Sequence, residues 1–129
     1  MLEVGDLERA VEFYGGLLGM RQVVRWGVRR PAVWLELGDH QVLGLWPPSS
    51  GGPAVALHGS RGGTHVHFAF FVGPGSLPEW QQRLEAAGLT VEGPVEFQHG
   101  SSLFVDDPDG NVVELADWPR DWEGKPVSR

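Results

Sequence analysis

Apolar and polar positions along this chain alternate at two periods, and the cycle runs through twice. Leu2 and Val4 flank Glu3 in the two-residue rhythm of a short strand. Leu7, Ala10, Val11, Tyr14, Leu17 and Leu18 then recur at helical spacing. Asp6 stands before them as an N-cap and Gly19 after them as a C′ stop. Residues 22–26 read as a strand, and 32–37 and 41–46 as a hairpin around Gly38-Asp39. Pro, Gly and Ser crowd the stretch 48–63, which reads as a linker. The order then repeats. Residues 64–72 form a strand. Ser76 and Glu79 form a capping box ahead of a helix whose buried stripe is Leu77, Trp80, Leu84 and Ala87, with Gly88 as its end. Strands follow over 90–97, 101–105 and 111–116, the last two joined by the tight turn Asp107-Pro108-Asp109-Gly110. The result is βαβββ, twice, with a polar tail over 118–129 that carries Trp118 and Trp122. A duplicated unit predicts two similar modules, about 1–47 and 64–117, facing one another across a cleft within one domain over 1–129.

Composition narrows the classes of function. At 129 residues and 41% hydrophobic content, the chain is of a size for one domain with a real core. The net charge of -7 and the lack of a basic stripe argue against a nucleic-acid partner. With no cysteine, thiolate metal sites, disulfides and Cys nucleophiles are excluded. No apolar run reaches membrane length and no signal pattern opens the chain, so no membrane partner is expected and cytoplasmic residence is the default. Six tryptophans are many for this length, and they suit either a large core or an aromatic-walled pocket.

Strand alternation sorts the candidate chemistry by face. Val66, Phe68 and Phe70 share one side of their strand, while His65, His67, Ala69 and Phe71 share the other. Val113 and Leu115 pack toward a helix and leave Glu114 on the opposite side. An imidazole and a carboxylate converging there suit a divalent ion, although His and Glu on strands are more commonly solvated or hydrogen-bonded. Trp34 and Trp46 fall on the cleft-facing alternation of the first module, as do Glu3 and Glu36. Trp34, Trp46, Phe71 and His99 are therefore the candidate ligand contacts. His65 lies roughly 6.5 Å from His67 along the strand, long for two ligands of one ion. His40 and His58 read as exposed, and Arg29-Arg30 as a solvated turn.

The run 4–14, the segment 67–72 and the run 107–115 together resemble the vicinal oxygen chelate superfamily, which holds glyoxalase I, extradiol dioxygenases, fosfomycin-resistance enzymes and bleomycin-binding proteins. The resemblance implies an α+β fold in which two βαβββ modules form a curved mixed sheet around a cleft, and a homodimer with modules paired across the two-fold. It places the family's second-module metal ligands at His67 and Glu114, with Glu114 also the candidate catalytic group. The first-module histidine would fall before Met1, and the position that glyoxalase I fills with Glu is Gly44. Either the gene product begins upstream of Met1 or the first-strand ligand is dispensed with. In the second case one divalent metal would be held weakly or not at all, and ligand affinity would come mainly from Trp34 and Trp46.

Two functions follow, with a structural or regulatory role and an empty cleft as a third. One is a metal-dependent lyase, isomerase or dioxygenase acting on a small-molecule substrate with vicinal oxygens. The alternative is a metal-free bleomycin-resistance-type protein that sequesters a flat or cationic drug. The incomplete ligand set and the acidic charge favour the second, and the joint presence of His67 and Glu114 favours the first.

Overall fold

A computed structural model describes residues 1–26, 31–38, 41–47, 66–121 and 123–127. His40, His58, His65, the linker 48–63, Arg29-Arg30 and Trp122 lie outside the described residues. The chain forms two compact units, Met1–Thr64 and His65–Arg129. In chain order the first holds β1 (Leu2–Glu3), α1 (Leu7–Val11), β2 (Arg21–Trp26), β3 (Ala32–Leu37) and β4 (Gln41–Trp46). The second holds β5 (His67–Phe71), α2 (Leu77–Ala86), β6 (Glu92–Phe97), β7 (Gly100–Asp106) and β8 (Val112–Asp117). Each unit builds one four-stranded mixed sheet, in the orders β1-β4-β3-β2 and β5-β8-β7-β6. In both, the strand before the helix pairs parallel with the last strand and the other pairs are antiparallel. The two units thus share one topology, as the repeated pattern predicts.

In the first unit, the Asp6 carboxylate accepts the Arg9 backbone N–H at 3.1 Å, which starts α1 as its N-cap position requires. The expected single helix over 7–18 changes character at Glu12 and runs to Leu17 as a π-helix. Gly15 and Gly16 weaken the α form there, and the Leu18 N–H reaches back five residues to the Phe13 carbonyl. A Cβ on Gly15 would stand 3.5 Å from the Met20 carbonyl and 3.8 Å from the Leu35 side chain, so the glycine lets the wide turn lie close to β3. That turn buries Phe13 and Tyr14, whose rings meet edge to face at 4.9 Å. They lie in a core with Val4, Ala10, Val33, Leu35 and Leu45. Arg25 also grips the Glu8 carboxylate with two hydrogen bonds, at 2.6 and 3.1 Å, and holds it below the usual carboxylate range. The tie is therefore complete at neutral pH and fades as pH falls through that lowered value. Both side chains lie in solvent, so its worth is small.

In the second unit, Leu103, Val105, Val113 and Leu115 are buried on the sheet side that carries α2, with Leu77 and Leu84 buried from the helix. Leu84 is fully buried, so Leu84→Ala is expected to cost about 2–5 kcal/mol, read as a lower urea midpoint at unchanged slope. Two helix details differ from the sequence pattern. Ser76 has helical rather than extended dihedrals, and its hydroxyl donates to the Gly73 carbonyl at 2.6 Å instead of capping α2. Trp80 is half-buried, with the Arg83 guanidinium over its ring at 5.2 Å.

Candidate functional site

The position of Glu114 is set by a turn. The Asp107 carboxylate accepts the N–H groups of Asp109 and Asn111, at 2.9 and 2.8 Å, and the Asn111 amide at 2.8 Å. Gly110 closes the turn on the Asp107 carbonyl with a φ of 79°, the left-handed region that glycine enters without strain. β8 therefore leaves the turn in fixed register, with Glu114 level with Ala69 on β5 and Phe104 on β7. Paired residues share a sheet face, so His67, Ala69, Phe71, Ser102, Phe104, Glu114 and Ala116 all lie on the side away from α2.

On that side the His67 and Glu114 heads meet. His67 Nε2 stands 3.1 Å from Glu114 Oε2. The histidine side chain is 38% exposed and the glutamate 10%. The His67 ring meets the Phe104 ring edge to face at 5.7 Å, which orients the imidazole. The other carboxylate oxygen, Glu114 Oε1, is buried and has no hydrogen-bond partner among the described residues. A buried carboxylate oxygen in that state calls for a proton donor or a cation. The pair fits a divalent ion. Imidazole nitrogen and carboxylate oxygen are suitable donors, and two adjacent donors held at about 2.1 Å from one ion stand roughly 3 Å apart. Among the described residues no group of three or more His, Asp or Glu side chains could hold a metal, so the donors brought together among them are His67 and Glu114.

The other sequence candidates fall in two places. Trp34 and Trp46 share one face of the first sheet with Gly44 between them, since Trp34 is level with Gly44 on β4 and Glu3 is level with Trp46. Both tryptophans are half-buried. Gly44, at the position the resemblance gives to a metal-binding Glu, is covered by Met1. A Cβ there would stand 2.9 Å from the Met1 methyl carbon, nearer still to its sulfur, and 3.3 Å from the Trp46 indole nitrogen. Phe71 and His99 instead line a concavity of the second unit, together with Trp118, Arg120, Asp121 and Val127. The Trp118 indole N–H donates to Ser102 Oγ at 2.9 Å, and its ring touches those of His99, Phe71 and Phe97 at 5.4, 5.9 and 6.1 Å. Sequence reasoning missed Phe104, which was legible as the residue between inward Leu103 and Val105. It also placed Trp118 only in the polar tail, and no periodic signal marks that residue.

The profile of the Glyoxalase/Bleomycin resistance protein/Dioxygenase superfamily matches residues 1–115. Glutathione transferase FosA of Serratia marcescens is 32% identical over 114 residues, 88% of this chain and 74% of that protein. Biphenyl-2,3-diol 1,2-dioxygenase 3 of Rhodococcus globerulus is 29% identical over 117 residues, 89% of this chain, which spans only 59% of the dioxygenase. Among solved structures, the lactoylglutathione lyase of Agrobacterium tumefaciens superposes with a TM-score of 0.68 at 29% identity, covering 88% of this chain and 87% of that one. These matches and the repeated βαβββ topology agree: the chain belongs to the glyoxalase/bleomycin resistance protein/dioxygenase superfamily.

Proposed function

We propose that this protein is a metal-dependent enzyme acting on a small molecule with two adjacent oxygens, and that His67 and Glu114 hold its divalent ion. The observation that carries the reading is the buried Glu114 Oε1, without a hydrogen-bond partner among the described residues, beside the His67–Glu114 contact. Buried carboxylate oxygens are seldom left without a donor or a cation. When bound, the ion supplies Lewis acidity to the substrate's paired oxygens. The chain's own contributions are separate. His67 and Glu114 present an imidazole nitrogen and a carboxylate oxygen in an orientation fixed by Phe104 and by the β8 register. The Phe104 and Phe97 rings, 6.4 Å apart, make the surface beside the pair aromatic. Glu114 is also the acceptor to which a substrate hydroxyl can pass its proton.

With two protein donors among the described residues, an ion would be held weakly without substrate, and the paired substrate oxygens would add to its donors. Members of such a set bind each other reciprocally. The relatives named above act, by their names, on glutathione-linked compounds and on a vicinal diol, so a catechol-type diol and a glutathione thioester are the first substrates to assay. The test measures Mn²⁺ affinity with and without biphenyl-2,3-diol, and diol affinity with and without Mn²⁺. Each is expected to tighten the other by about tenfold, a coupling near 1.4 kcal/mol. Diol binding that ignores the metal would instead favour sequestration without an ion. The same work should find a homodimer by light scattering, as the family resemblance implies.

A further inference from the structure

The family match ends at residue 115, yet four of the six side chains around the second unit's concavity come from beyond it. Trp118, Arg120, Asp121 and Val127 are brought there by a small hairpin. Its strands bridge at Arg120 and Pro126, and the Val127 N–H donates to the Pro119 carbonyl at 2.9 Å. The Arg120 N–H donates to the His99 carbonyl, which ties the hairpin to the β6–β7 turn. The Trp118–Ser102 bond fixes the indole against the sheet. From this we infer that the tail builds a binding site for a neutral, flat ring system of one or two fused rings, the apolar end of the substrate.

Three observations carry the inference. First, the size is right. The concavity is about 190 Å³, and an apolar cavity of about 150 Å³ takes up benzene. Second, the walls suit a π-system. Phe71, His99 and Trp118 offer three rings at mutual angles, and a flat guest gains roughly 1–3 kcal/mol by stacking on such a side chain. Phe71 is 61% exposed and Val127 42%, which is apolar surface left open within a concave site. Third, the charges are engaged by the hairpin itself. Arg120 Nη1 donates to the Gly124 carbonyl at 2.8 Å. Asp121 Oδ1 accepts the N–H groups of Glu123 and Lys125, each at 2.9 Å. The lining thus carries one cation and one anion, so its charge gives no preference to a charged guest of either sign, and a neutral guest leaves these hydrogen bonds in place.

Phe71 lies on the same strand face as His67, roughly 13 Å along β5, with Phe104, Phe97 and Trp118 forming a continuous aromatic floor between. That the ring belongs to the substrate of the His67–Glu114 site rests on the proposed function. The ring site itself does not.

Titration of the full chain with indole tests it, followed by calorimetry. Saturable one-to-one binding is expected, with benzoate and phenyltrimethylammonium each about tenfold weaker. Val127→Trp, which fills the concavity, and Phe71→Ala, which removes a wall, should each weaken indole about tenfold or more, a loss within the range of one stacking contact. Glu114→Gln should leave indole affinity unchanged while it weakens Mn²⁺ binding. The inference is overturned by absence of saturable indole binding, by benzoate or phenyltrimethylammonium binding as tightly as indole, by indifference to both wall variants, or by loss of indole binding in Glu114→Gln. Circular dichroism establishes that each variant is folded, and Phe71→Ala decides the matter if Val127→Trp is not. Because Mn²⁺ is read separately, failure of indole binding leaves the metal proposal standing, and the reverse also holds.

Discussion

Glu114→Gln is expected to weaken Mn²⁺ binding at least a hundredfold while leaving the protein folded. The substitution keeps the shape of the side chain and removes its charge. Loss of a group that only supports a metal ligand typically costs about 10–100-fold, and Glu114 would be a ligand itself. Little should happen to stability. The amide can still meet His67 Nε2, and burying it costs less than burying a carboxylate whose Oε1 has no partner among the described residues. Titration of Mn²⁺ by electron paramagnetic resonance reads the affinity, and thermal melting reads the fold. If Glu114→Gln binds Mn²⁺ as well as the parent, Glu114 is not a donor. His67→Ala should have the same effect on the metal, because on the proposed reading the pair would supply the two donors brought together among the described residues, and one alone would hold an ion poorly.

A second large effect is expected at Gly100, which looks unremarkable in the sequence. Its φ is 151°, and a Cβ there would stand 2.2 Å from the Asp117 carbonyl oxygen and 2.8 Å from both Trp118 Cα and Pro119 Cδ. The nearest obstacle is backbone, so no side-chain rotation relieves it. Ser101 is level with Asp117 at the end of β8, and the next pair in the ladder anchors Trp118 through Ser102. Gly100→Ala must push β7 off the end of β8 and unseat that indole. A cost of about 2–4 kcal/mol follows from overpacking and backbone strain together, lowering the melting temperature by roughly 5–15 °C. Indole binding should be lost in the same variant. Gly88→Ala is the control. Gly88 also has a positive φ, 84°, but nothing lies within 4 Å of its Cβ position, so only the conformational cost of about 1 kcal/mol applies. Equal melting temperatures for the two variants would show that the close approach at Gly100 is not what the geometry says.

Much of the architecture was legible because several levels of the sequence agree. Residues 32–37 and 41–46 alternate cleanly between turn residues, and β3 and β4 occupy those spans. Asp107, Pro108 and Gly110 each serve a separate requirement of one turn, so the turn and the strand after it were readable together. Parity alone put His67 and Glu114 on one side of their sheet, and the parallel pairing of β5 with β8 brings their heads together. What escaped has physical reasons. Over six residues, a wide helical turn and an ordinary one leave nearly the same apolar spacing, so the π-helix at Glu12–Leu17 is invisible in the pattern. Ser76 and Glu79 match a capping box in letters, but the helical dihedrals at Ser76 send its hydroxyl to Gly73. Met1 over Gly44 reflects side-chain packing across β1 and β4, which strand periodicity does not encode. The hairpin that carries Trp118 and Val127 depends on Asp121 hydrogen bonds and one bridge rather than on any repeat.

Whether His67 and Glu114 hold a metal can be seen by anomalous diffraction from crystals grown with Mn²⁺ and biphenyl-2,3-diol. One strong peak is expected within about 2.5 Å of both His67 Nε2 and a Glu114 carboxylate oxygen, with the diol oxygens on the same ion. A diol bound with no ion beside that pair, or an ion seated on other side chains, would contradict it.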